Sequence, residues 1–135
     1  MIVMEKAIYE ILQAKAGGRV YAMRAPQNSP TPFIVYQRIG STRWRCINNP
    51  SGVGQADMRI DIYDTTFYDS KELAVEVEDL LDGYSGSVII SGDSPQDVVV
   101  IGGISLQDDV DIIDQTDQPM LYRNSATYLV TYETE

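Results

Sequence analysis

The stretch Ala56-Asp57-Met58-Arg59-Ile60-Asp61-Ile62-Tyr63 alternates strictly. Ala56, Met58, Ile60 and Ile62 fall on one side, and Asp57, Arg59, Asp61 and Tyr63 on the other. Successive side chains of an extended chain point to opposite faces, so the pattern reads as a half-buried antiparallel strand. A different period takes over downstream. Leu73, Ala74, Val77, Leu80 and Leu81 form one apolar stripe at helical spacing. Asp69 is placed to cap this helix, with Glu72 three residues on as in a capping box, and Gly83 supplies the C-terminal stop. A strand feeding a helix whose stripe needs a sheet to cover it sets the fold class.

Upstream, Phe33-Ile34-Val35-Tyr36-Gln37-Arg38-Ile39 is rich in β-branched and aromatic residues, with strand character continuing to Arg45. Between the two strands, Asn48-Asn49-Pro50-Ser51-Gly52-Val53-Gly54 is a turn-forming tip too long for a tight hairpin, which predicts an extended hairpin arm with a mobile end. Met4, Ala7, Ile8, Ile11 and Leu12 predict an N-terminal helix ended by Gly17-Gly18. A short strand follows near Arg19–Met23, then a loop holding Pro26, Pro30 and Pro32. After the second helix come strands near Ser87–Ser91 and Asp97–Leu106, an acidic loop over about 107–119, and a closing strand from Met120 to about Tyr132. The order α-β-β-β-α-β-β-β, without a parallel βαβ series, predicts an α+β fold. We expect a mainly antiparallel sheet with two helices packed on one face, forming one domain over residues 1–135.

Composition narrows the chemistry. At 135 residues, 44% hydrophobic and 22% charged, the chain can bury a core without staples. Twenty acidic against ten basic residues leave a net charge of -10, which opposes binding to free duplex DNA. There is no histidine, so the commonest general base and metal ligand is missing. The single cysteine, Cys46, has neither a disulfide partner within the chain nor a histidine to activate it. No serine sits in a G-x-S-x-G elbow, and Gly52-Val53-Gly54 is no phosphate cradle. The N-terminus lacks the pattern of a signal peptide, and the longest β-branched run, Val98–Ile101, is far too short to span a bilayer. We therefore expect a cytoplasmic protein without catalytic residues, metal site, cofactor or membrane partner.

Charge is divided unevenly. Residues 1–60 carry eight basic and three acidic side chains; residues 61–135 carry two basic and seventeen acidic. Arg38, Arg43 and Arg45 flank Trp44 on one strand, with Arg59 on its partner, and Arg and Trp are favoured at interface hot spots. Glu72, Glu76 and Asp79 stack along the second helix, where like charges and the helix dipole both oppose them. These residues are candidates for a subunit interface; an exposed strand or a nucleic-acid contact, which the overall charge opposes, and a solvated helix face are the alternatives. The run Asp108, Asp109, Asp111, Asp114 and Asp117 sets five carboxylates within ten residues, which reads as a solvated acidic loop. A calcium loop of EF-hand type fails there, because Ile113 takes a ligand position and the Gly and closing Glu are absent. Asn48, Asn49, Pro50 and Gly52 mark a candidate partner-docking tip.

The chain resembles the tail-completion proteins of long-tailed bacteriophages, also called tail terminators or tail-to-head joining proteins. The resemblance rests on the order of N-terminal helix, proline-rich loop and Pro32-Phe33-Ile34-Val35-Tyr36. It continues through Gly40-Ser41-Thr42, Arg59-Ile60-Asp61-Ile62-Tyr63, the helix with Ala74, Val77, Leu81 and Gly83, and the closing strand around Tyr122-Arg123 and Tyr128-Leu129-Val130. It implies a non-enzymatic virion structural subunit assembled in the bacterial host cytoplasm. Such a subunit forms a ring, commonly a hexamer, that caps the tail tube, stops its growth and joins it to the head connector. Its partners would be itself, the tail tube protein and the head–tail connector protein, with DNA passing through the lumen without specific binding. Under this resemblance the run Asp108, Asp109, Asp111, Asp114 and Asp117 is a candidate lumen lining or docking loop, and the Glu72, Glu76 and Asp79 stripe is the other candidate lining. The acidic run departs from the family's pattern in length and acidity, leaving open whether it docks on the tube, lines the channel or hangs free. Alternatives are another neck or minor tail subunit and, from a different class, an acidic DNA-mimic inhibitor. A carboxylate–metal hydrolase built on the acidic run is the enzyme alternative.

Overall fold

In the computed structural model, which describes residues 4–45, 50–90, 98–114 and 121–134, the alternating stretch lies at the centre of a six-stranded sheet. The elements run α1 (Met4–Leu12), a 3₁₀ turn (Ala16–Gly18), β1 (Val20–Ala22), β2 (Phe33–Arg45), β3 (Pro50–Asp64), α2 (Phe67–Leu81), β4 (Gly86–Ile89), β5 (Val98–Asp114) and β6 (Leu121–Thr134). Strand order is β1-β2-β3-β6-β5-β4. Every pairing is antiparallel except β1 with β2, where the proline loop returns the chain in the same direction. The fold is α+β, as the pattern of elements predicts.

One face of the sheet carries the core. Ala56, Met58, Ile60 and Ile62 of β3 meet Ala126, Tyr128 and Val130 of β6 and the inward side chains Ile34 and Tyr36 of β2. Met4, Ala7, Ile8 and Leu12 of α1 and Leu73, Val77 and Leu81 of α2 complete the same cluster. Both helices thus cover one face, and each does so with the stripe its spacing defines. Burying side chains of this size contributes roughly 1.5–3 kcal/mol apiece.

Three sequence expectations are corrected. Thr66, not Asp69, caps α2: its hydroxyl accepts the Asp69 N–H at 3.3 Å, and Asp69 lies within the first turn. Thr66 adopts the extended conformation a cap requires, so the helix begins earlier than the apolar stripe suggests. The hairpin arm is longer and its tip shorter than predicted, because Pro50 and Gly52 belong to β3. Register explains this: Arg45 pairs with Pro50 and Arg43 with Gly54, while β6 continues alongside from Val53. Third, the acidic stretch is no loop through Asp114. Asp108, Asp109, Asp111 and Asp114 are strand residues of β5, held by continuous pairing with β6. Asn48, Asn49, Cys46 and Asp117 lie outside the described residues.

Gly83 follows α2 at φ +81° as expected, whereas α1 already ends at Leu12 and Gly17, at φ +63°, lies inside the separate 3₁₀ turn rather than stopping the helix. Both values lie in the left-handed region that glycine enters without strain.

Candidate functional site

The alternation of β3 places Arg59, Asp61 and Tyr63 on the sheet face opposite the helices. There the loop of residues 23–31 borders, with the sheet, an open recess of about 670 Å³. Its charged lining consists of Arg24, Arg59, Asp61 and Arg123. Asp61 is only 4% exposed, and its Oδ2 lies 3.2 Å from Arg123 Nη2 and 3.4 Å from Arg59 Nε. Arg59 also donates to Gln37 Oε1 at 2.8 Å. The Phe33 and Tyr63 rings stack at 4.8 Å, and the Arg123 guanidinium sits 5.8 Å from the Tyr63 centroid. Asp61 Oδ1 is buried without a hydrogen-bond partner among the described residues. Arg19 anchors the loop by donating from Nε to the Pro32 carbonyl at 2.9 Å. Two guanidiniums on one carboxylate, with Arg24 elsewhere in the lining and stacked rings beside them, form a cationic recess suited to an acidic polypeptide segment.

Of the basic residues predicted as one interface, Arg38 and Arg59 lie on opposite faces of the sheet. Arg59 occupies this recess, whereas Arg38 lies opposite Met58 on the helix side, 3.7 Å from Glu5 of α1. The side chains of Arg43, Trp44 and Arg45 lie outside the described part; their backbone forms the far end of β2. Asp61, Arg123 and the loop wall were missed in the sequence. An aspartate on the polar side of an alternating strand reads as solvated, and nothing local signals that Arg123, 62 positions away, covers it.

The acidic residues divide by strand alternation. Asp111 lies on the helix side, where its carboxylate accepts from Asn124 Nδ2 at 2.9 Å and Lys71 Nζ at 3.2 Å. The Asn124 hydrogen bond, reinforced by Lys71, holds the Asp111 carboxyl below its ordinary value against a smaller opposing effect of burial. Asp109, opposite Ala126, shares that side; Asp108, opposite Thr127, is on the other with Val110 and Ile112. Glu72, Glu76 and Asp79 are all exposed on α2, so the helix stripe and part of the β5 run acidify the same side of the molecule. Burial beside Glu78, Asp82 and Asp109 raises the Tyr128 phenol, which stays neutral as a core group. Among the described residues, no three Cys, Asp or Glu side chains gather as a metal ion would require, and no helix is long and apolar enough to cross a membrane.

Apolar side chains are left in solvent on both faces near the end of β5, Val110 and Ile112 on the open face and Ile113 on the helix side. Val110, Ile112 and Ile113 are 39–49% exposed, and Tyr68 and Val75 stand out from α2. Such an apolar strand end flanked by carboxylates suits contact with another protein.

No curated protein sequence is significantly similar to this chain. In fold it is similar to a chain of a structure described as "Virion of native gene transfer agent (GTA) particle", with a TM-score of 0.68 at 16% identity, covering 96% of this chain and 94% of the other. Residues 6–118 match the family model described as "Tail completion protein gp17". A match over most of the chain, from within α1 through the end of β5, makes the protein a member of the tail completion protein gp17 family of phage tail structural proteins.

Proposed function

We propose that this chain caps the finished tail tube as a ring, stops tube elongation and joins the tail to the head connector. The observation that supports the reading is family membership across residues 6–118. The surfaces are consistent with it. A ring is a heterologous assembly, in which one face of each subunit meets a different face of the next. The chain offers dissimilar faces: an arginine-lined recess on one side of the sheet, and an acidic helix and strand on the other. The acidic side, with Glu72, Glu76, Asp79 and Asp109, is the natural lining for a channel that DNA crosses without adhering, because carboxylates repel phosphates.

The experiment is assembly of phage particles lacking this protein, read by electron microscopy of the tails. Overlong tails of uneven length, separate from filled heads, are expected, and added protein should restore joining. Tails of normal, uniform length without heads would instead make the chain a neck subunit.

A further inference from the structure

The second strand from each edge of the sheet, β2 and β5, is left half uncovered by its short outer neighbour. β1 pairs with β2 only at Ile34–Tyr36, and β4 pairs with β5 only at Val98–Ile101. Residues 82–84 extend the cover of β5 to Leu106 through Ile104 N–H to the Tyr84 carbonyl and Leu106 N–H to Asp82 Oδ1. Among the described residues, nothing hydrogen-bonds to the outer edges of β2 beyond Arg38 or of β5 beyond Leu106. Two open edges on one sheet are a template for strand pairing.

The direction of the free amides follows from register. Ile34 N–H and the Tyr36 carbonyl point outward from β2, so Val35 and Gln37 bond inward to Asp61 and Arg59 of β3. Alternation then directs the even residues of β3 to β6 and the odd residues of β6 to β5. Asp108, Val110 and Ile112 oppose Thr127, Ser125 and Arg123, so they bond inward, leaving Asp109, Asp111 and Ile113 facing outward. By the same count, past the bulge at Arg38/Gly40, Ser41 and Arg43 face outward from β2.

The two edges complement each other. The open part of β2 carries Arg38, Arg43 and Arg45; that of β5 carries Asp108, Asp109, Asp111 and Asp114. The strands run in opposite directions within the sheet, so two copies in the same orientation bring them together antiparallel. We infer that the open edge of β2 in one copy pairs with the open edge of β5 in a second copy, continuing the sheet from subunit to subunit. This rests on the ring reading and deepens it. The edges are open at opposite ends of the sheet, since Arg43 is level with Ile101, and Asp111 with Ile34. A closed ring joined this way therefore holds its strands inclined to the ring axis, as any sheared closed sheet does.

The test removes single outward amides. Ser41→Pro and Asp109→Pro each delete an edge donor without touching an internal ladder bond, and Asp109→Asn keeps the amide while removing the charge. In native mass measurements, the proline variants should be folded monomers at concentrations where the unmodified chain and Asp109→Asn assemble. Hydrogen exchange on the unmodified chain covers the case of a variant that fails to fold: the amides of Ser41, Arg43, Asp109, Asp111 and Ile113 should slow at least tenfold on assembly. Closed rings with fast exchange at these amides, or rings formed by a folded proline variant, overturn the joint and leave the ring standing. Open filaments with slow exchange support the joint and count against the ring. A chain monomeric at every concentration overturns the joint, and tail length in deficient particles then judges the function by itself.

Discussion

Arg123 on β6 reaches Asp61 on β3, Nη2 to Oδ2 at 3.2 Å, across the sheet face that the helices leave bare. The acceptor is almost wholly buried while the donor is only partly so. Truncating the buried member strands its partners, so Asp61→Ala, which leaves Arg59 and Arg123 facing each other, should cost about 1–3 kcal/mol once solvent at the arginines is allowed for. Arg123→Gln should cost less, because Arg59 still faces Asp61. Urea unfolding of both variants measures the difference.

The cap on α2 provides a second check. Thr66→Ala removes the acceptor for the Asp69 amide and should destabilise the protein by about 1 kcal/mol. Asp69→Ala deletes a first-turn carboxylate and should cost only about 0.3–1 kcal/mol, through the helix dipole. A larger loss at Asp69 in thermal unfolding would return the cap to that residue.

Acid should weaken the contact between β5 and α2. The folded Asp111 carboxyl is held below its unfolded value by Asn124 and Lys71, so its contribution is present above the unfolded pKa and disappears as pH falls through the folded one. Asp111→Asn should flatten this part of the stability profile below about pH 4 and leave the neutral region little altered, because the group is partly exposed. Unfolding midpoints across pH for the two proteins give the comparison.

Charge at the strand edges should govern assembly. Arg43→Glu with Arg45→Glu places like charges opposite the β5 aspartates and should weaken self-association at low salt. Raising the ionic strength should then strengthen association of the variant while weakening that of the unmodified chain. Sedimentation over a salt series separates these opposite slopes.

Exposed apolar residues should separate assembly from folding. Val110→Ser and Ile112→Ser act at a solvent-exposed strand end and should change stability by less than about 1 kcal/mol. Leu81→Ala, fully buried against the sheet, should cost about 2–5 kcal/mol. A loss of association in the first pair without a loss of stability assigns those side chains to a contact.

Periodicity in the chain determined the order of the elements, the inward stripe of each helix and the inward residues of β3, because which side chains can share a face depends only on local geometry. It also determined the Gly83 stop and the uneven division of charge. Where β3 starts and how far β5 runs were decided by tertiary structure: Pro50–Gly54 and Asp108–Asp114 carry turn-forming or acidic residues, and pairing with long neighbouring strands overrides those local preferences. The same holds for Asp61, whose burial depends on Arg123 and a loop distant in sequence. The separation of Arg38 from Arg59 likewise reflects the pleat of strands in register, which places one beside α1 and the other in the recess beneath residues 23–31.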